Sequence, residues 1–161
     1  MKLSIKRYST MLFFQFAFLL IDLAINSFSY IARGNKLSLV FVFLAQDICL
    51  ILSFATLVFG LYSTYVYQTG LANLLYSKFR GPFWALTIYF LLSVSHHVWI
   101  VFNYERMPYS FQWPTPLTAL FIIQRLFSPV YYYLYKRSAL RLSDPRFYEN
   151  MEWINERLSI K

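Results

Sequence analysis

Charged residues are scarce in this sequence: they make up 14% of its 161 residues, whereas hydrophobic residues make up 58%. Soluble globular domains carry about 25% charged residues and use them to cover an apolar core. Too few polar side chains are present here to form such a surface, so a soluble globular domain is excluded. At this length the chain forms one domain, without room for a separate catalytic module.

Cysteine and glycine are also scarce, with one cysteine, Cys49, and four glycines. A single cysteine cannot form an intrachain disulfide, and the glycines are not clustered as in a phosphate-binding loop. The two histidines, His96 and His97, are adjacent, so on a helix they diverge by about 100° and do not chelate one metal ion together. No Ser/His/Asp order appears. The sequence gives no positive indication of an enzyme, a metal site or a cofactor.

Long apolar segments fill most of the chain. They cover residues 11–31, 37–62, 83–102 and 117–135, and each reaches the length of about 20 helical residues that crosses a bilayer. We therefore expect an all-α, polytopic membrane protein in which residues 1–142 form a four-helix transmembrane bundle.

Positive charges are distributed unevenly around these four segments. Eleven lysines and arginines precede the first segment, lie between the second and third, or follow the fourth, whereas three lie on the other side. This bias predicts that both termini are cytoplasmic, which requires an even number of crossings. It also accounts for the net charge of +8 without a nucleic-acid partner. The alternative of a cleaved signal peptide is disfavoured, because Asp22 and Asn26 interrupt the place of a cleavage site.

Tyrosine and tryptophan are frequent near the predicted ends of the spans, where an apolar ring stays in lipid while its polar atom reaches water. On the cytoplasmic side they include the run from Tyr131 to Tyr133, together with Tyr135. We expect these tyrosines to lie at the membrane interface.

The cytoplasmic loop before the third span has helical spacing. Leu71, Leu74, Leu75 and Lys78 recur at that spacing after Gly70. The pattern predicts a short helix that lies along the cytoplasmic interface.

Polar residues also occur inside the predicted spans. The set that we single out comprises Asp22, Asn26, Asp47, His97 and Arg125. Asp22, Asp47 and Arg125 lie near the predicted midplane, where an ionised group costs about 3 kcal/mol or more unless it is paired, so these three are expected to face the bundle interior. One interpretation is a structural ion pair that fixes helix order and register, with the histidines hydrogen-bonded to neighbours. The alternative is a proton or ion pathway.

A proline interrupts the fourth span. Pro129 cannot donate a backbone hydrogen bond, so we expect it to kink the helix and free a carbonyl. Ser128 or Arg125 is then available to satisfy that carbonyl.

The second span carries a stripe of small side chains, which would let another helix approach closely. Its members are Cys49, Ser53, Thr56, Gly60 and Thr64. Packing within the monomer is one interpretation of this helix-packing stripe, and a homodimer or partner face is the other.

The C-terminal tail, residues 143–161, is predicted to form a cytoplasmic amphipathic helix. Asp144 followed by Pro145 is typical of a helix start. An apolar stripe follows at helical spacing, formed by Phe147, Met151, Ile154 and Leu158. We regard this tail as a candidate partner-binding element, with packing on its own bundle as the alternative.

Six segments that include these features follow one another over nearly the whole chain. They are Asn26-Ser27-Phe28-Ser29, Gln46-Asp47-Ile48, Gln68-x-Gly70-Leu71-x-Asn73-Leu74-Leu75-x-x-Lys78-Phe79-x-Gly81, Tyr89-Phe90-x-Leu92-Ser93-x-Ser95-x-His97-Val98-Trp99, Gln124-Arg125-Leu126 and Tyr135-Lys136-Arg137-x-Ala139-x-Arg141-Leu142-x-Asp144-Pro145-x-Phe147-Tyr148. In this combination the chain resembles the transmembrane protein 138 family, a small four-span family of ciliated eukaryotes. His96 falls outside the pattern, whereas His97 matches it.

The resemblance implies a non-enzymatic membrane protein that is needed to build cilia. It implies a location at the ciliary base and transition zone, and also at vacuolar membranes, without catalytic residues or cofactors. The expected partners are the lipid bilayer and other transition-zone or trafficking proteins, bound through the cytoplasmic loop and tail. Two alternatives stay open: a small proton- or ion-coupled transporter that uses the intramembrane Asp, His and Arg residues, and a general endomembrane assembly factor.

Overall fold

The protein is helical throughout the part of the chain that the computed structural model describes, which comprises residues 5–64, 72–104 and 114–142. The elements are α1 (Ile5–Phe28), a short 3-10 helix (Ser29–Gly34), α2 (Lys36–Tyr62), α3 (Ala72–Phe102) and α4 (Thr115–Leu142). The prediction of an all-α chain is confirmed. The predicted tail helix, residues 143–161, lies outside the described residues.

Three of the helices are long and apolar enough to cross a membrane, over Ser9–Phe28, Lys36–Tyr62 and Phe79–Phe102. The protein is therefore a multi-pass membrane protein. At 28 residues, α4 is about 42 Å long, which exceeds the thickness of a bilayer core. Its mid-helix pair Gln124 and Arg125 and its four tyrosines make it less apolar than the other three helices.

The connection between α1 and α2 is short. α1 ends at Phe28, three residues before the predicted end of the first span. The chain then continues as the 3-10 helix to Gly34. Asn35 begins α2 as its N-cap, since its side-chain Oδ1 accepts a hydrogen bond of 3.0 Å from the backbone N–H of Leu37.

The prediction of a separate short interfacial helix before the third span is wrong. A single helix, α3, begins at Ala72 and continues through Pro82 to Phe102. The helical spacing of the loop was a correct signal, but Gly81 and Pro82 do not end the helix. A proline removes one backbone hydrogen bond, which a long packed helix tolerates.

Buried positions on α2 and α4 alternate in steps of four and three residues. On α2 they are Leu39, Phe43, Gln46, Leu50, Ser53, Leu57 and Gly60, and on α4 they include Gln124, Ser128, Tyr131, Tyr135, Ser138 and Leu142. This heptad spacing is typical of helices that pack at small angles with a left-handed twist. The helices pack in chain order, α1 on α2, α2 on α3 and α3 on α4, and α4 also contacts α1 and α2.

The tyrosines of α4 differ in how they face the bundle. Tyr131 and Tyr135 are fully buried, and Tyr131 stacks on Tyr89 of α3 with ring centroids 4.7 Å apart. Only Tyr133 of the run is exposed. The heptad positions of Tyr131 and Tyr135 place them against the other helices, whereas their depth at the membrane interface stays a prediction.

Candidate functional site

The centre of the bundle contains a buried carboxyl group on α1 that accepts hydrogen bonds from the other three helices. Asp22 of α1 is buried, and its Oδ1 accepts a hydrogen bond of 2.9 Å from Gln46 Nε2 of α2. Its Oδ2 accepts hydrogen bonds from Tyr132 of α4 at 2.7 Å and from Tyr89 of α3 at 3.1 Å. One side chain thus connects α1 to each of the other three helices.

A second layer of amides surrounds these contacts. Gln124 of α4 donates from Nε2 to Asn26 Oδ1 at 3.3 Å, and the same atom lies 3.4 Å from Tyr89 OH and from Ser93 Oγ. Asn26 Nδ2 lies 3.4 Å from Tyr132 OH. We call these residues the buried polar cluster, whose members are Asp22, Asn26, Gln46, Tyr89, Ser93, Gln124 and Tyr132.

The chemistry of the buried polar cluster suits a carboxyl group that accepts hydrogen bonds. An ionised carboxylate accepts hydrogen bonds only, whereas hydroxyl and amide groups donate them. Asp22 receives three donors, so both of its oxygens are satisfied away from water. Satisfied networks of this kind hold a unique arrangement of helices, and an unpaired carboxylate at this depth would be strongly destabilising.

Asp47 lies apart from the buried polar cluster and pairs with a histidine. Its Oδ1 is 2.9 Å from His97 Nδ1, and the two side chains connect α2 to α3. The His97 ring stacks on Phe43, which lies one turn from Asp47, with ring centroids 4.1 Å apart. The side chain of His97 is 6% exposed and that of Asp47 is 22% exposed, so the carboxylate alone borders the surface.

Arg125 contacts an aromatic ring. Its guanidinium carbon lies 5.0 Å from the centroid of the Phe121 ring, one turn away on α4. Within the described residues, the hydrogen-bond and ion-pair partners of Asp22 and Asp47 do not include Arg125. The five residues singled out from the sequence thus divide into Asp22 with Asn26, Asp47 with His97, and Arg125 by itself.

The backbone of Arg125 behaves as the sequence predicts. Because Pro129 lacks an N–H, the carbonyl of Arg125 loses its usual helical partner. Ser128 Oγ donates a hydrogen bond of 2.9 Å to that carbonyl.

The helix-packing stripe of α2 meets α4 within the same chain. Tyr135 OH donates to the carbonyl of Ser53 at 3.0 Å and lies 3.1 Å from Thr56 Oγ1. Gly60 is buried, and a Cβ atom at this position would overlap the side chain of Leu142. The small residues therefore let the C-terminal half of α4 approach α2 closely.

Five members of the buried polar cluster lie outside the set singled out from the sequence, namely Gln46, Tyr89, Ser93, Gln124 and Tyr132. Tyr89 was noted only as part of the family resemblance, and Tyr132 was assigned to the interface. A helical-wheel signal was available for Tyr132, since it is four residues from Ser128 and eight from Gln124 on α4. No group of three or more His, Cys, Asp or Glu side chains in the described ranges could hold a metal ion.

Comparisons with known proteins identify the family. The family profile for Transmembrane protein 138 matches residues 39–157. The mouse protein of that name is 39% identical over 149 residues, which is 92% of each chain. The Xenopus tropicalis protein is 36% identical over 92% of each chain, and the zebrafish protein is 36% identical over 96% of this chain and 95% of its own. No solved structure matches the chain. The recognition from sequence motifs is confirmed: this chain belongs to the Transmembrane protein 138 family.

Proposed function

We propose that this protein is a non-enzymatic, four-span membrane component that is needed for the assembly or maintenance of the cilium. It acts as a scaffold or trafficking component at the ciliary base and transition zone, and the vacuolar or endolysosomal membrane is a further location. The ciliary part of this proposal is supported by the family resemblance. Both termini are cytoplasmic in this proposal, as the positive-inside bias predicts.

The observation that favours a scaffold is the saturation of the buried polar cluster. All three hydrogen bonds to Asp22 come from side chains of the bundle, and those side chains lie on three different helices. A carboxylate held in this way stabilises one arrangement of the helices. The bundle then holds at fixed positions the helix ends from which the cytoplasmic loop and tail continue, which is what a scaffold requires.

The tail is proposed to recruit the partners. Its apolar stripe consists of Phe147, Met151, Ile154 and Leu158, after the predicted helix start at Asp144 and Pro145. An amphipathic helix of this kind binds a partner by laying its apolar face into a groove.

Imaging at the native locus tests the ciliary role. The protein would be tagged in a ciliated cell, imaged and then removed, and the cilia would be counted. We expect a signal at the ciliary base and shortened or missing cilia after removal. A signal confined to the endoplasmic reticulum or vacuole, with normal cilia, would instead support a general endomembrane assembly factor.

Rescue variants test the tail in the same cells. Substitution of Met151 and Ile154 by Ser is expected to leave the protein in the membrane but to abolish rescue. The matched control substitutes Glu149 and Glu152 by Gln, off the apolar stripe, and is expected to rescue. Full rescue by the Ser variant would assign partner recruitment to another part of the protein.

A second candidate function is proton- or ion-coupled transport. It is favoured by the Asp47–His97 pair, because Asp47 is partly exposed while its histidine partner is buried. Flux across reconstituted vesicles that is lost on Asp22→Asn or Asp47→Asn would select transport. Absence of flux from vesicles that hold folded protein would leave the scaffold as the supported function.

A further inference from the structure

One arginine lies far from both ends of α4. Arg125 is about 15 Å along the helix axis from Thr115 and about 25 Å from Leu142. The side chain is partly exposed, and its guanidinium carbon lies 5.0 Å from the centroid of the Phe121 ring. An aromatic ring stabilises a cation only in part, whereas a charge at this depth of a membrane is costly unless an opposite charge pairs with it.

The carboxyl groups of the described helices are engaged with other side chains. Asp47 bonds with His97, and both oxygens of Asp22 accept hydrogen bonds. Asp22 is close enough to Arg125 for an electrostatic interaction, but among the described residues the hydrogen bonds of Asp22 do not include Arg125. A guanidinium group has five N–H donors, so it suits a further acceptor.

The other acidic residues of the chain are attached far from the depth of Arg125. Gln124 Nε2 lies 3.4 Å from Ser93 Oγ, so Arg125 is level with the middle of α3, and α3 continues for about 14 Å beyond Ser93 to Phe102. A segment that returned from either helix end would have to bring backbone polar groups into lipid. These acidic residues follow Phe102 or Leu142, and they are Glu105, Asp144, Glu149, Glu152 and Glu156.

The surface around Arg125 suits the approach of another helix. Thr118, Ile122, Arg125 and Pro129 recur at i, i+4, i+7 and i+11 on one face of α4, and each is exposed or partly exposed. The side chains of Thr118 and Pro129 are short, which lets a second helix approach on both sides of Arg125. Ile122 is 49% exposed and Leu126 beside it is 71% exposed, so the rest of this surface is apolar.

We propose that Arg125 binds a carboxylate in the transmembrane helix of a partner protein. The partner helix packs along the face that contains Thr118, Ile122 and Pro129, and carries one Asp or Glu at the depth of Arg125. Arginine and a carboxylate form paired, charge-assisted hydrogen bonds, and they neutralise each other away from water.

The occupant is a different protein and not a second copy of this chain. In a second copy Asp22 is buried and Asp47 pairs with His97, so neither offers a free carboxylate. This inference rests on the proposed crossing of α4 through the membrane, but not on the ciliary role.

Association with a host helix tests the pairing. The full-length protein, labelled with a donor fluorophore, is reconstituted in phosphatidylcholine vesicles together with a transmembrane peptide that carries an acceptor fluorophore. The peptide consists of leucine and alanine with one Glu at its centre, and the matched peptide has Leu at that position. Energy transfer at increasing ratios of peptide to lipid gives the two association constants. We expect the protein to associate about tenfold more strongly with the Glu peptide, and Arg125→Leu to remove this preference.

Three controls separate the pairing from other effects of charge. Arg80→Gln removes an exposed arginine from α3 and should retain the preference of the wild type. Arg125→Lys should fall between the wild type and Arg125→Leu, because an ammonium group keeps the charge but not the planar donors. A peptide whose Glu is moved seven residues towards one end should associate more weakly, because its carboxylate no longer reaches the depth of Arg125.

Folding and topology are measured separately from association. The thermal unfolding midpoint of each variant establishes that it is folded, and Arg125→Gln replaces Arg125→Leu if the leucine variant does not fold. The sides of the vesicle on which tags at the two termini lie report whether α4 crosses. Failure of the pairing is thereby distinguished from failure of the proposed topology.

Three results would overturn the proposal. The first is equal association of the wild type with the Glu and Leu peptides, which would mean that Arg125 is satisfied by its own bundle or by lipid headgroups. The second is an unchanged preference in Arg125→Leu. The third is energy transfer between donor-labelled and acceptor-labelled copies of the protein that Arg125→Leu abolishes, which would assign Arg125 to a homodimer.

Discussion

The hydroxyl of Tyr132 makes the shortest contact to Asp22, at 2.7 Å. The substitution Tyr132→Phe removes that donor and leaves Asp22 Oδ2 with Tyr89 alone. Hydrogen bonds between membrane helices contribute about 0.6 kcal/mol on average and up to about 1.7 kcal/mol. Because the acceptor is a buried carboxyl group, we expect Tyr132→Phe to lower the free energy of unfolding by an amount near the upper figure. The change would be measured as a lower midpoint of thermal unfolding in detergent.

The neighbouring residue provides the control for that substitution. Tyr133 is 61% exposed and differs from Tyr132 by one position on α4. Tyr133→Phe removes the same atom and should change the free energy of unfolding by no more than about 0.5 kcal/mol. Equal effects of the two substitutions would mean that the contact of Tyr132 with Asp22 does not contribute to stability.

Replacement of Asp22 and of Arg125 by leucine should change the yield of folded protein to different extents. Asp22→Leu leaves Gln46, Tyr89 and Tyr132 without their acceptor, and each unsatisfied buried donor costs about 1–3 kcal/mol. Arg125→Leu removes one contact with Phe121, worth about 1 kcal/mol, and also removes a charge from mid-membrane depth. We therefore expect Asp22→Leu to lower the yield of folded protein strongly and Arg125→Leu to leave it nearly unchanged.

That comparison decides whether Arg125 helps to fix the bundle, as the sequence led us to hypothesise. Folded yield would be measured by size-exclusion chromatography of fluorescently tagged protein. A loss for Arg125→Leu as large as that for Asp22→Leu would mean that Arg125 stabilises the bundle as strongly as Asp22 does.

The close approach of α2 and α4 depends on Gly60. A methyl group at this position overlaps Leu142, whereas nothing lies within 4 Å of the corresponding atom at Gly81 of α3. Gly60→Ala should destabilise the protein by about 1–3 kcal/mol, the usual effect of overpacking. Gly81→Ala should be neutral or stabilising by up to about 1 kcal/mol, since alanine favours a helix.

A double variant separates the overlap from other effects of alanine at Gly60. If the side chain of Leu142 is the obstacle, Gly60→Ala/Leu142→Ala should lose less stability than the two single variants predict by addition. Thermal unfolding of all four proteins gives this coupling directly. Additive effects would mean that α4 shifts as a whole to accommodate the methyl group.

The helices were more predictable than the contacts between them. Apolar length was sufficient to locate all four helices, but the third was predicted to begin at residue 83, whereas α3 begins at Ala72 and continues through Pro82. For the site, intramembrane polarity singled out Asp22, Asn26, Asp47 and His97, which have polar partners in the structure. It did not identify the partners, because a tyrosine is equally suited to a membrane interface and to a buried hydrogen bond.

The rotation of each helix in the bundle explains why the sequence did not predict which polar residues pair. Gln46 and Asp47 are adjacent in the chain, yet Gln46 joins Asp22 whereas Asp47 joins His97. Neighbouring residues on a helix point about 100° apart, so two adjacent polar residues serve two different interfaces. The sequence alone does not state which interface each one meets, because that depends on the rotation of α2 in the bundle.

Within the described residues, the bundle interior contains polar as well as apolar side chains, whereas many large apolar side chains are exposed on the outside. This arrangement bears on the path of α4 through the membrane. Its inner face carries Gln124, Ser128 and Ser138, whereas its outer face exposes Ile122, Ile123 and Leu126. The polar inner residues lower its average hydropathy without exposing polar groups to lipid. We therefore expect α4 to cross the bilayer as the fourth span.

The positions of the termini test this expectation. Four spans place both termini on the same side of the membrane, and the excess of lysine and arginine places that side in the cytoplasm. Tags fused to either terminus should both be reached by a cytosolic split-fluorescent-protein fragment, whereas a tag inserted into 105–113 should be reached only from the other side. Termini on opposite sides would mean that α4 lies against the bundle without crossing. In that case the lysines and arginines of α4 would no longer mark the cytoplasmic side, although its contacts with Asp22 would remain.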